Sequence, residues 1–383
     1  MTEVLQDSLR LLGTVLAVQA NFYRVQLDLG SKEKYKEDKE DKEDKKLFSP
    51  LSIPSSLSVA SLYPPLLLCT RRTRLKKIGQ QVMVGDRVLV EEPDWAGQRG
   101  AIADVLPRKN QLDRPAIANV NQILLVFAVA DPPLEPYQLS RFLVKAESTG
   151  LDVVLCLNKS DLISTQQQEQ IHQHLINWGY QSSFISVYKS INIDKLSTYL
   201  KDKITVVAGP SGVGKSSLIN ALIPNINLRV GEISGKLARG RHTTRHVELF
   251  DLPSGGLLAD TPGFNQPDLD CSPEELAVYF PEARQRLALA RCRFSDCLHR
   301  DEPDCAVRGD WERYQHYLEF LEEAIAHQSQ LNQQADPEST IKVKTKGKGK
   351  QKYEPKLESK KYRQKSRRTQ LQELQQLYRE SEE

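Results

Sequence analysis

Long hydrophobic runs are absent from this chain of 383 residues. Its longest uninterrupted apolar stretch is Ile123–Ala130, whereas a membrane-spanning helix needs about 20 such residues. The first residues, MTEVLQDSLRLLGTV, also lack the basic start and the apolar stretch of a secretory signal. We therefore expect a cytoplasmic protein without a membrane segment.

Cysteine is scarce and unevenly distributed. Of six cysteines, three lie around one histidine in the pattern Cys292-x4-Cys297-x-His299-x5-Cys305. In a reducing compartment such a cluster favours metal ligands over disulfides. A closed Cys₃His set is typical of structural Zn²⁺, and it leaves no open position for hydrolytic chemistry. The alternative is three unrelated buried cysteines and a surface histidine.

Composition is that of a folded protein. Hydrophobic residues make up 39% and charged residues 27%, which excludes a collagen-like or wholly disordered chain. The formal net charge of +3 says little by itself. The length suggests two or three domains, and we find no internal repeat.

Residues 1–109 have the pattern of an all-β domain. Five short strand patterns without a helix indicate a small barrel of the OB type, which binds RNA in many proteins. They are Gly13–Ala20, Phe22–Gly30, Leu66–Lys77, Asp86–Glu92 and Gly97–Arg108. A segment at 31–65 interrupts them, with lysines alternating with acidic residues and then a Ser/Pro-rich stretch. We expect that segment to be a flexible insertion.

Residues 110–270 alternate between strand and helix patterns, which predicts an α/β domain with a parallel sheet. The predicted strands include Ile123–Val129, Asp152–Leu157 and Ile204–Ala208, with helices at Gln138–Ser148, Thr165–Trp178 and Lys215–Leu222. Residues 271–330 read as a mainly helical zinc-binding domain. There, Ser272 and Glu275 have capping-box spacing, and a second helix is predicted at Trp311–His327.

Residues 331–383 form a polar tail rich in lysine. Between Ile341 and Gln370 it carries 13 Lys/Arg against two Glu. We expect it to be disordered. It either contacts RNA phosphates or serves as a solubilising extension.

A phosphate-binding loop is predicted at Gly209–Ser216, GPSGVGKS, which follows an apolar strand and opens a helix. Its glycines let main-chain N–H groups approach phosphates, and the helix N-terminus adds its dipole. Lys215 would reach the β- and γ-phosphates, and Ser216 would bind Mg²⁺. The nucleotide-binding candidates are Gly209, Pro210, Ser211, Gly212, Val213, Gly214, Lys215, Ser216 and Ser217. The alternative is an ordinary glycine-rich turn.

A guanine-reading loop is predicted at Asn158, Lys159, Ser160 and Asp161, directly after a buried strand. The Asp161 carboxylate would accept from guanine N1–H and the 2-amino group, a donor pair that adenine lacks. Asn158 would contact the O6/N7 edge, and the stem of Lys159 would cover the base. The motif alone is weak, but joined to a phosphate loop it becomes strong. Ser186-Val187 is a weaker signal for main-chain contacts to the base.

Two further motifs concern Mg²⁺ and the γ-phosphate. Asp260-Thr-Pro-Gly263 fits D-x-x-G, so Asp260 would hold Mg²⁺ through water and the Gly263 N–H would sense the γ-phosphate. Thr243 or Thr244 could complete the Mg²⁺ shell, in a basic segment expected to order with GTP. The alternative is a basic loop that binds RNA, and the two roles are compatible.

The residue that would position the attacking water is not evident. Many GTPases carry a Gln after D-x-x-G, but here that position is Phe264. His242 is the nearest candidate, because histidine donates or accepts near neutral pH. A group supplied in trans, with a structural role for His242, is the alternative. Low intrinsic turnover follows in either case.

The order of the motifs is unusual. The guanine-reading loop at 158 precedes the phosphate loop at 209 and D-x-x-G at 260, whereas in an ordinary small GTPase the phosphate loop comes first and N-K-x-D comes late. The sequence therefore predicts a circularly permuted GTPase domain. Because the chain after D-x-x-G leads into the cysteine cluster, the nucleotide state could be transmitted there.

These motifs and their order give the chain a resemblance to the ribosome small-subunit-dependent GTPase family of bacteria and chloroplasts. The motifs are, in order, NKSD, GPSGVGKSS, GRHTT at 240–244, DTPG and the Cys₃His set. The resemblance covers roughly residues 10–328. It implies an OB barrel, a permuted GTPase domain and a zinc domain. It also implies that the protein acts in late maturation of the 30S subunit. Contact with rRNA would stimulate GTP hydrolysis, and the protein would then be released from the subunit. The resemblance also supports a catalytic role for His242. Three features depart from the family pattern: the insertion at 31–65, Arg245 after GRHTT, and the long tail.

Two functions from different classes remain open. One is a GTPase that cycles on and off the 30S subunit, acting as a monomer with GTP, Mg²⁺ and 16S-type rRNA. The other is a GTP-gated rRNA-binding scaffold whose hydrolysis is incidental. A hydrolase using the Cys₃His site is disfavoured, since that site has no open position.

Overall fold

The computed structural model describes residues 10–28, 66–113, 115–224, 247–260, 269, 271–333, 341–346 and 350–355. The chain divides into two compact units, Met1–Leu321 and Glu322–Glu383. Among the described residues, no helix is both long and apolar enough to cross a membrane. The predicted insertion at 31–65 lies outside the described residues.

A closed barrel begins the first unit, as predicted. Its elements are strand β1 (Leu11–Gln19), β2 (Phe22–Leu27), β3 (Leu66–Arg71), helix α1 (Thr73–Lys77), β4 (Arg87–Asp94) and β5 (Arg99–Val105). The sheet runs β1-β2-β3-β5-β4 and closes because β4 also pairs with β1. Alternating residues such as Val15, Val25, Val88 and Ile102 fill the interior and are fully buried.

The prediction of one continuous strand over Leu66–Lys77 is wrong in its second half, because α1 occupies Thr73–Lys77. Strand β3 ends at Arg71, the last residue that has a partner, Ile102, on β5. Beyond it, leucine and lysines favour a helical turn. Leu75 of that turn is fully buried and packs into the barrel core.

An α/β sheet follows a short hairpin of β6 (Gln111–Asp113) and β7 (Ala116–Ala118). Its elements are β8 (Gln122–Ala128), α2 (Pro136–Glu147), β9 (Asp152–Asn158), α3 (Thr165–Asn177), β10 (Ser182–Phe184), α4 (Ile193–Leu200), β11 (Ile204–Ala208), α5 (Lys215–Leu222), β12 (Glu248–Asp251) and β13 (Leu257–Asp260). The strand order is β10-β9-β8-β11-β13-β12. Strands β10, β9, β8, β11 and β13 are parallel, and β12 runs antiparallel to β13.

Helices cover both faces of this sheet, which is why its central strands are apolar throughout. Leu125 and Phe127 of β8 pack on one face with Phe142 of α2. Leu124 and Val126 pack on the other face, in the cluster that contains residues of α5. The sheet also continues into the barrel, because β12 pairs with β1 at Ala17 and Glu248.

The C-terminal part of the first unit is helical, as predicted, but with different boundaries. A 3₁₀ turn at Leu276–Tyr279 precedes α6 (Pro281–Leu289). Helix α7 (Tyr314–Gln333) begins in this unit and continues past Leu321 into the second. The capping box predicted from Ser272 and Glu275 starts no α-helix. Instead the Glu275 N–H donates to the Ser272 carbonyl at 3.2 Å, which closes a turn.

The second unit contains a hairpin of β14 (Ile341–Lys346) and β15 (Lys350–Pro355). The prediction of disorder throughout 331–383 is therefore wrong for these residues. In Ile341–Lys346, β-branched residues alternate with lysines, the period of a strand. The net basic composition obscured that pattern.

Candidate nucleotide site and metal centre

The phosphate loop connects β11 to α5 at the carboxyl end of the sheet, and two of its glycines have no room for a side chain. A Cβ at Gly209, where φ is +140°, would lie 2.1 Å from the Val126 carbonyl oxygen. A Cβ at Gly214, where φ is +96°, would lie 2.4 Å from Asn158 Nδ2. Both glycines let the loop pack closely against the neighbouring strands β8 and β9.

Lys215 is the first residue of α5, and its ammonium group lies within the loop. Its Nζ donates to the carbonyl oxygens of Gly209 at 2.8 Å and of Pro210 at 2.5 Å. Ser216 and Ser217 follow in the first turn of α5 and are half-buried. The loop amides and the N-terminus of α5 form the arrangement that binds phosphate in P-loop proteins.

Asn158 ends β9 and connects three loops. Only 3% of the residue is exposed. Its Nδ2 donates to the Val213 carbonyl of the phosphate loop at 2.9 Å, and its Oδ1 accepts from the Val187 N–H at 3.3 Å. The sequence indicated contact with the base and gave no sign of this positioning role, because Val213 lies 55 residues away.

Asp161 lies on the exposed rim of the same site. Its Oδ1 accepts from the Ser186 hydroxyl at 2.5 Å, and Ser186 Oγ accepts from the Lys189 N–H at 3.0 Å. The Ser160 N–H donates to the Ile185 carbonyl at 3.0 Å. The structure thus brings the weak Ser186-Val187 signal together with the NKSD loop.

Lys159 has a left-handed backbone, with φ of +62°. Its Nζ donates to the main-chain carbonyl of Asp131 in the loop after β8 and lies 3.8 Å from that residue's carboxylate. Asp131 was not among the residues that the sequence singled out. Its loop joins the site because β8 lies between β9 and β11.

Asp260 is the last residue of β13, and its main chain pairs with Val207 of β11. This places the start of DTPG beside the strand that leads into the phosphate loop. The predicted residues His242, Thr243, Thr244 and Gly263 lie outside the described residues.

The four predicted metal ligands come together. One ligand atom of each residue lies within 4.8 Å of the other three: the sulfurs of Cys292, Cys297 and Cys305 and a ring nitrogen of His299. His299 Nδ1 is 3.5, 3.4 and 3.3 Å from the Cys292, Cys297 and Cys305 sulfurs, and the Cys292 and Cys305 sulfurs are 3.9 Å apart. Ligands of a tetrahedral Zn²⁺ lie about 3.5–3.8 Å apart, given its usual bond lengths. The donor set therefore fits a tetrahedral ion with soft ligands.

Groups around the cluster hold its loop in place. Burial raises the pKa of the Cys297 thiol to about 12, so a thiolate there requires a cation. The Glu302 carboxylate accepts from the N–H groups of Leu298, Arg300 and Asp301 at 2.8–3.1 Å. Burial alone would raise the pKa of Glu302, but these N–H groups outweigh it and lower that pKa to about 2.

Arg313, just before α7, joins the cysteine region to the helices of the α/β domain. The residue is fully buried, and it donates to the Glu282 carboxylate through two nitrogens, at 2.8 and 2.5 Å. Its guanidinium also lies 4.8 Å from the ring centres of Trp178 and Phe280. Sequence reasoning missed this residue, because nothing local distinguishes it from other arginines.

Known proteins share this architecture. The family model described as RsgA GTPase matches residues 105–270. The small ribosomal subunit biogenesis GTPase RsgA of Trichormus variabilis is 76% identical over 97% of this chain and 98% of its own length. The protein of the same name from Microcystis aeruginosa is 57% identical over 94% and 91%.

Two solved structures agree. YjeQ from Thermotoga maritima has a TM-score of 0.64 and 31% identity, over 83% of this chain and 99% of its own. YloQ, a circularly permuted GTPase, has a TM-score of 0.62 and 30% identity, over 85% and 99%. They confirm the permuted fold predicted from the order of the motifs. The chain therefore belongs to the RsgA family of small ribosomal subunit biogenesis GTPases, and it is a GTP-hydrolysing enzyme.

Proposed function

We propose that the protein binds the 30S ribosomal subunit with GTP bound and assists its late maturation. Contact with the subunit stimulates hydrolysis of GTP to GDP and phosphate, and the protein then leaves. The observation that carries this proposal is the joining of the phosphate loop to both base-reading loops through Asn158. The relatives' name, small ribosomal subunit biogenesis GTPase, supports the partner.

Guanine is read by Asp161, whose carboxylate accepts from N1–H and the 2-amino group. The Ser186 hydroxyl bonded to Oδ1 supports this role, because it fixes the carboxylate while leaving it exposed to a base. The stem of Lys159 covers one face of the base. Asn158 lies beside the O6/N7 edge and holds the loops at their spacing.

The phosphates bind the N–H groups of the loop and the ammonium of Lys215. Ser216 and Asp260 would hold Mg²⁺, with Thr243 or Thr244, and that ion would neutralise charge on the β- and γ-phosphates. The Gly263 N–H senses the γ-phosphate. His242 positions the attacking water, or a ribosomal group does so in trans.

The Cys₃His set would hold one Zn²⁺ in a structural role, since all four positions of a tetrahedral ion are taken by protein atoms. The barrel lies within residues 1–109 and contacts 16S-type rRNA. The GTPase domain spans 110–270, the zinc domain spans 271–330 and the tail spans 331–383. The protein acts as a monomer in the cytoplasm.

GTP hydrolysis by the purified protein, alone and with 30S, 50S or 70S particles, tests the proposal. We expect strong stimulation by 30S subunits only, and loss of turnover in Lys215→Ala. His242→Ala should retain GTP binding and lose most of the stimulated rate if that histidine positions the water. Slow turnover unchanged by 30S subunits would overturn the proposed cycle and favour the rRNA-binding scaffold.

A further inference from the structure

A single row of paired residues crosses the sheet from the barrel to the nucleotide site. Arg24 of β2 pairs with Ala17 of β1, and Ala17 pairs on its other side with Glu248 of β12. Glu248 in turn pairs with Asp260, the first residue of DTPG, and Asp260 pairs with Val207 just before the phosphate loop. Because each strand is hydrogen-bonded to the next, the position of β12 relative to the barrel acts on the strand that presents Asp260.

Side chains join the barrel to β12 along this row. Arg24 donates to the Glu248 carboxylate, so this ion pair spans the intervening strand β1. Further along, Gln26 Nε2 donates to Asp251 Oδ1 at 2.6 Å. Arg24 and Gln26 lie on the outer face of the barrel, because strand residues alternate and Val25 between them is fully buried. Strand β2 thus holds two acidic residues of β12 with polar groups.

The main-chain connection between the barrel and β12 is slight. Within the part of the chain that the structure describes, the ladder of β1 and β12 has one pair, whereas that of β12 and β13 has four. Leu16 of β1 and Leu249 of β12 belong to one buried cluster, which keeps the two parts packed together. Apolar packing is non-directional, so the polar side chains determine where β12 lies along the barrel.

The ion pair between Arg24 and Glu248 is better suited to positioning than to stability. The two side chains are 39% and 34% exposed, and pairs with such exposure add little to folding stability. We propose that Arg24 is a positioning residue for GTP hydrolysis. By holding Glu248 it fixes β12, and with it the main chain at Asp260, when the barrel binds RNA. The inference rests on the proposed function, since rRNA on the barrel is the event that Arg24 transmits.

Charge reversal in the full-length chain tests this role from both sides. Arg24→Glu places two carboxylates together, and Glu248→Arg places two guanidinium groups together. The second change adds positive charge, so it removes no cation that could bind RNA. The two changes combined restore an ion pair in the opposite sense. Asp28→Asn is the matched control, because Asp28 binds Arg87 within the barrel, with side chains 25% and 30% exposed.

GTP hydrolysis is measured against the concentration of 30S subunits and of GTP, and rates are expressed per bound fluorescent GTP analogue, so unfolded protein does not lower them. Each single reversal should reduce the rate at saturating subunits about fivefold, the equivalent in rate of one partly exposed ion pair. The KM for GTP and the subunit concentration at half-stimulation should stay unchanged. The double reversal should recover most of the rate, and Asp28→Asn should match the unaltered protein.

Three results would overturn the role of Arg24. They are unchanged saturated rates in both single reversals, no recovery in the double reversal, and a rate in Arg24→Glu that recovers fully at higher subunit concentration. The last result would mean that Arg24 only binds rRNA. Absence of stimulation in the unaltered protein would instead contradict the proposed function, and the inference with it. Stimulation of the unaltered protein that the reversals share in full would contradict the inference alone.

Discussion

At the scale of single residues, the nucleotide site is held together by polar groups that bind neighbouring loops. Asn158 spans from the phosphate loop to the Val187 loop, and Ser186 binds the carboxylate of Asp161. Lys215 binds carbonyls of its own loop. The side chains predicted to recognise GTP are thus held by main-chain groups and by the Ser186 hydroxyl in a defined geometry, which lowers the entropy lost on binding.

Gly209→Ala should abolish nucleotide binding, because its Cβ would lie 2.1 Å from the Val126 carbonyl. Gly150→Ala is the matched control, since Gly150 also has positive φ, +68°, but a Cβ there would meet no atom within 4 Å. Titration with a fluorescent GTP analogue measures both. Equal affinities in the two variants would show that the close approach at Gly209 is unimportant.

Ser186→Ala should weaken GTP binding about fivefold, because one hydrogen bond that orients Asp161 is worth about 1 kcal/mol. The rate at saturating GTP should stay unchanged, since Ser186 does not face the predicted phosphate sites. Ser197→Ala serves as control, as its hydroxyl bonds Ser254 at 2.8 Å in another part of the domain. A lower saturated rate with unchanged affinity would contradict this role.

At the scale of elements, local patterns predicted most of the fold. The buried runs of β8, β9 and β11 and the helices α2, α3 and α5 follow directly from hydrophobic periodicity. The predicted strand at Thr73–Lys77 is a helix because strand pairing ends at Arg71. The β14–β15 hairpin was missed because its composition, taken as a whole, resembles a disordered tail.

The candidate site was only partly predictable. The motifs identified the loops because each has a local spacing that its chemistry requires. The contacts between loops were not visible, since Asn158 and Val213 meet only through the sheet order. Arg313 and Glu282, 31 residues apart, likewise form their pair through tertiary packing.

Arg313→Lys should lower the free energy of unfolding by about 3 kcal/mol, because it breaks a buried pair and leaves Glu282 incompletely bonded. Arg284→Lys is the control. Arg284 also binds a carboxylate, that of Glu147, at 2.6 Å, but it is 43% exposed, so its loss should cost less than about 1 kcal/mol. Urea unfolding measures the free energy of unfolding of both variants. Equal decreases in the two variants would contradict the idea that burial makes the Arg313 pair more important.

Glu302→Gln should weaken metal retention by about tenfold, since groups that orient ligands typically affect affinity by 10–100-fold. Two carboxylate oxygens share the three loop N–H groups, whereas glutamine has one acceptor oxygen, and its NH₂ group donates and cannot accept the remaining N–H groups. Asp304→Asn, an exposed acid in the same loop with 72% of its side chain accessible, is the control. Metal retention is measured as the rate of zinc transfer to a chromophoric chelator. Equal transfer rates in the two variants would contradict the proposed role of Glu302 in holding the loop.

At the scale of the whole molecule, circular permutation connects the nucleotide site to the cysteine region. Strand β11, with the phosphate loop, lies between β8 and β13. The chain after β13 leads to the cysteine region, and Arg313 next to that region contacts Trp178 at the end of α3 and Glu282 of α6. Glu312 adds to that contact, with Oε2 accepting from Trp178 Nε1 at 2.9 Å and Oε1 lying 2.7 Å from His174 Nδ1. DTPG is therefore joined through the chain to the Cys₃His cluster.

The central claim is that GTP controls residence on the small subunit. Co-sedimentation of the full-length protein with 30S subunits, with GDP or with a non-hydrolysable GTP analogue, tests it most directly. We expect stable binding with the analogue and release with GDP, both at saturating nucleotide. Equal retention in the two nucleotide states would contradict the claim, because the subunit would then not distinguish them.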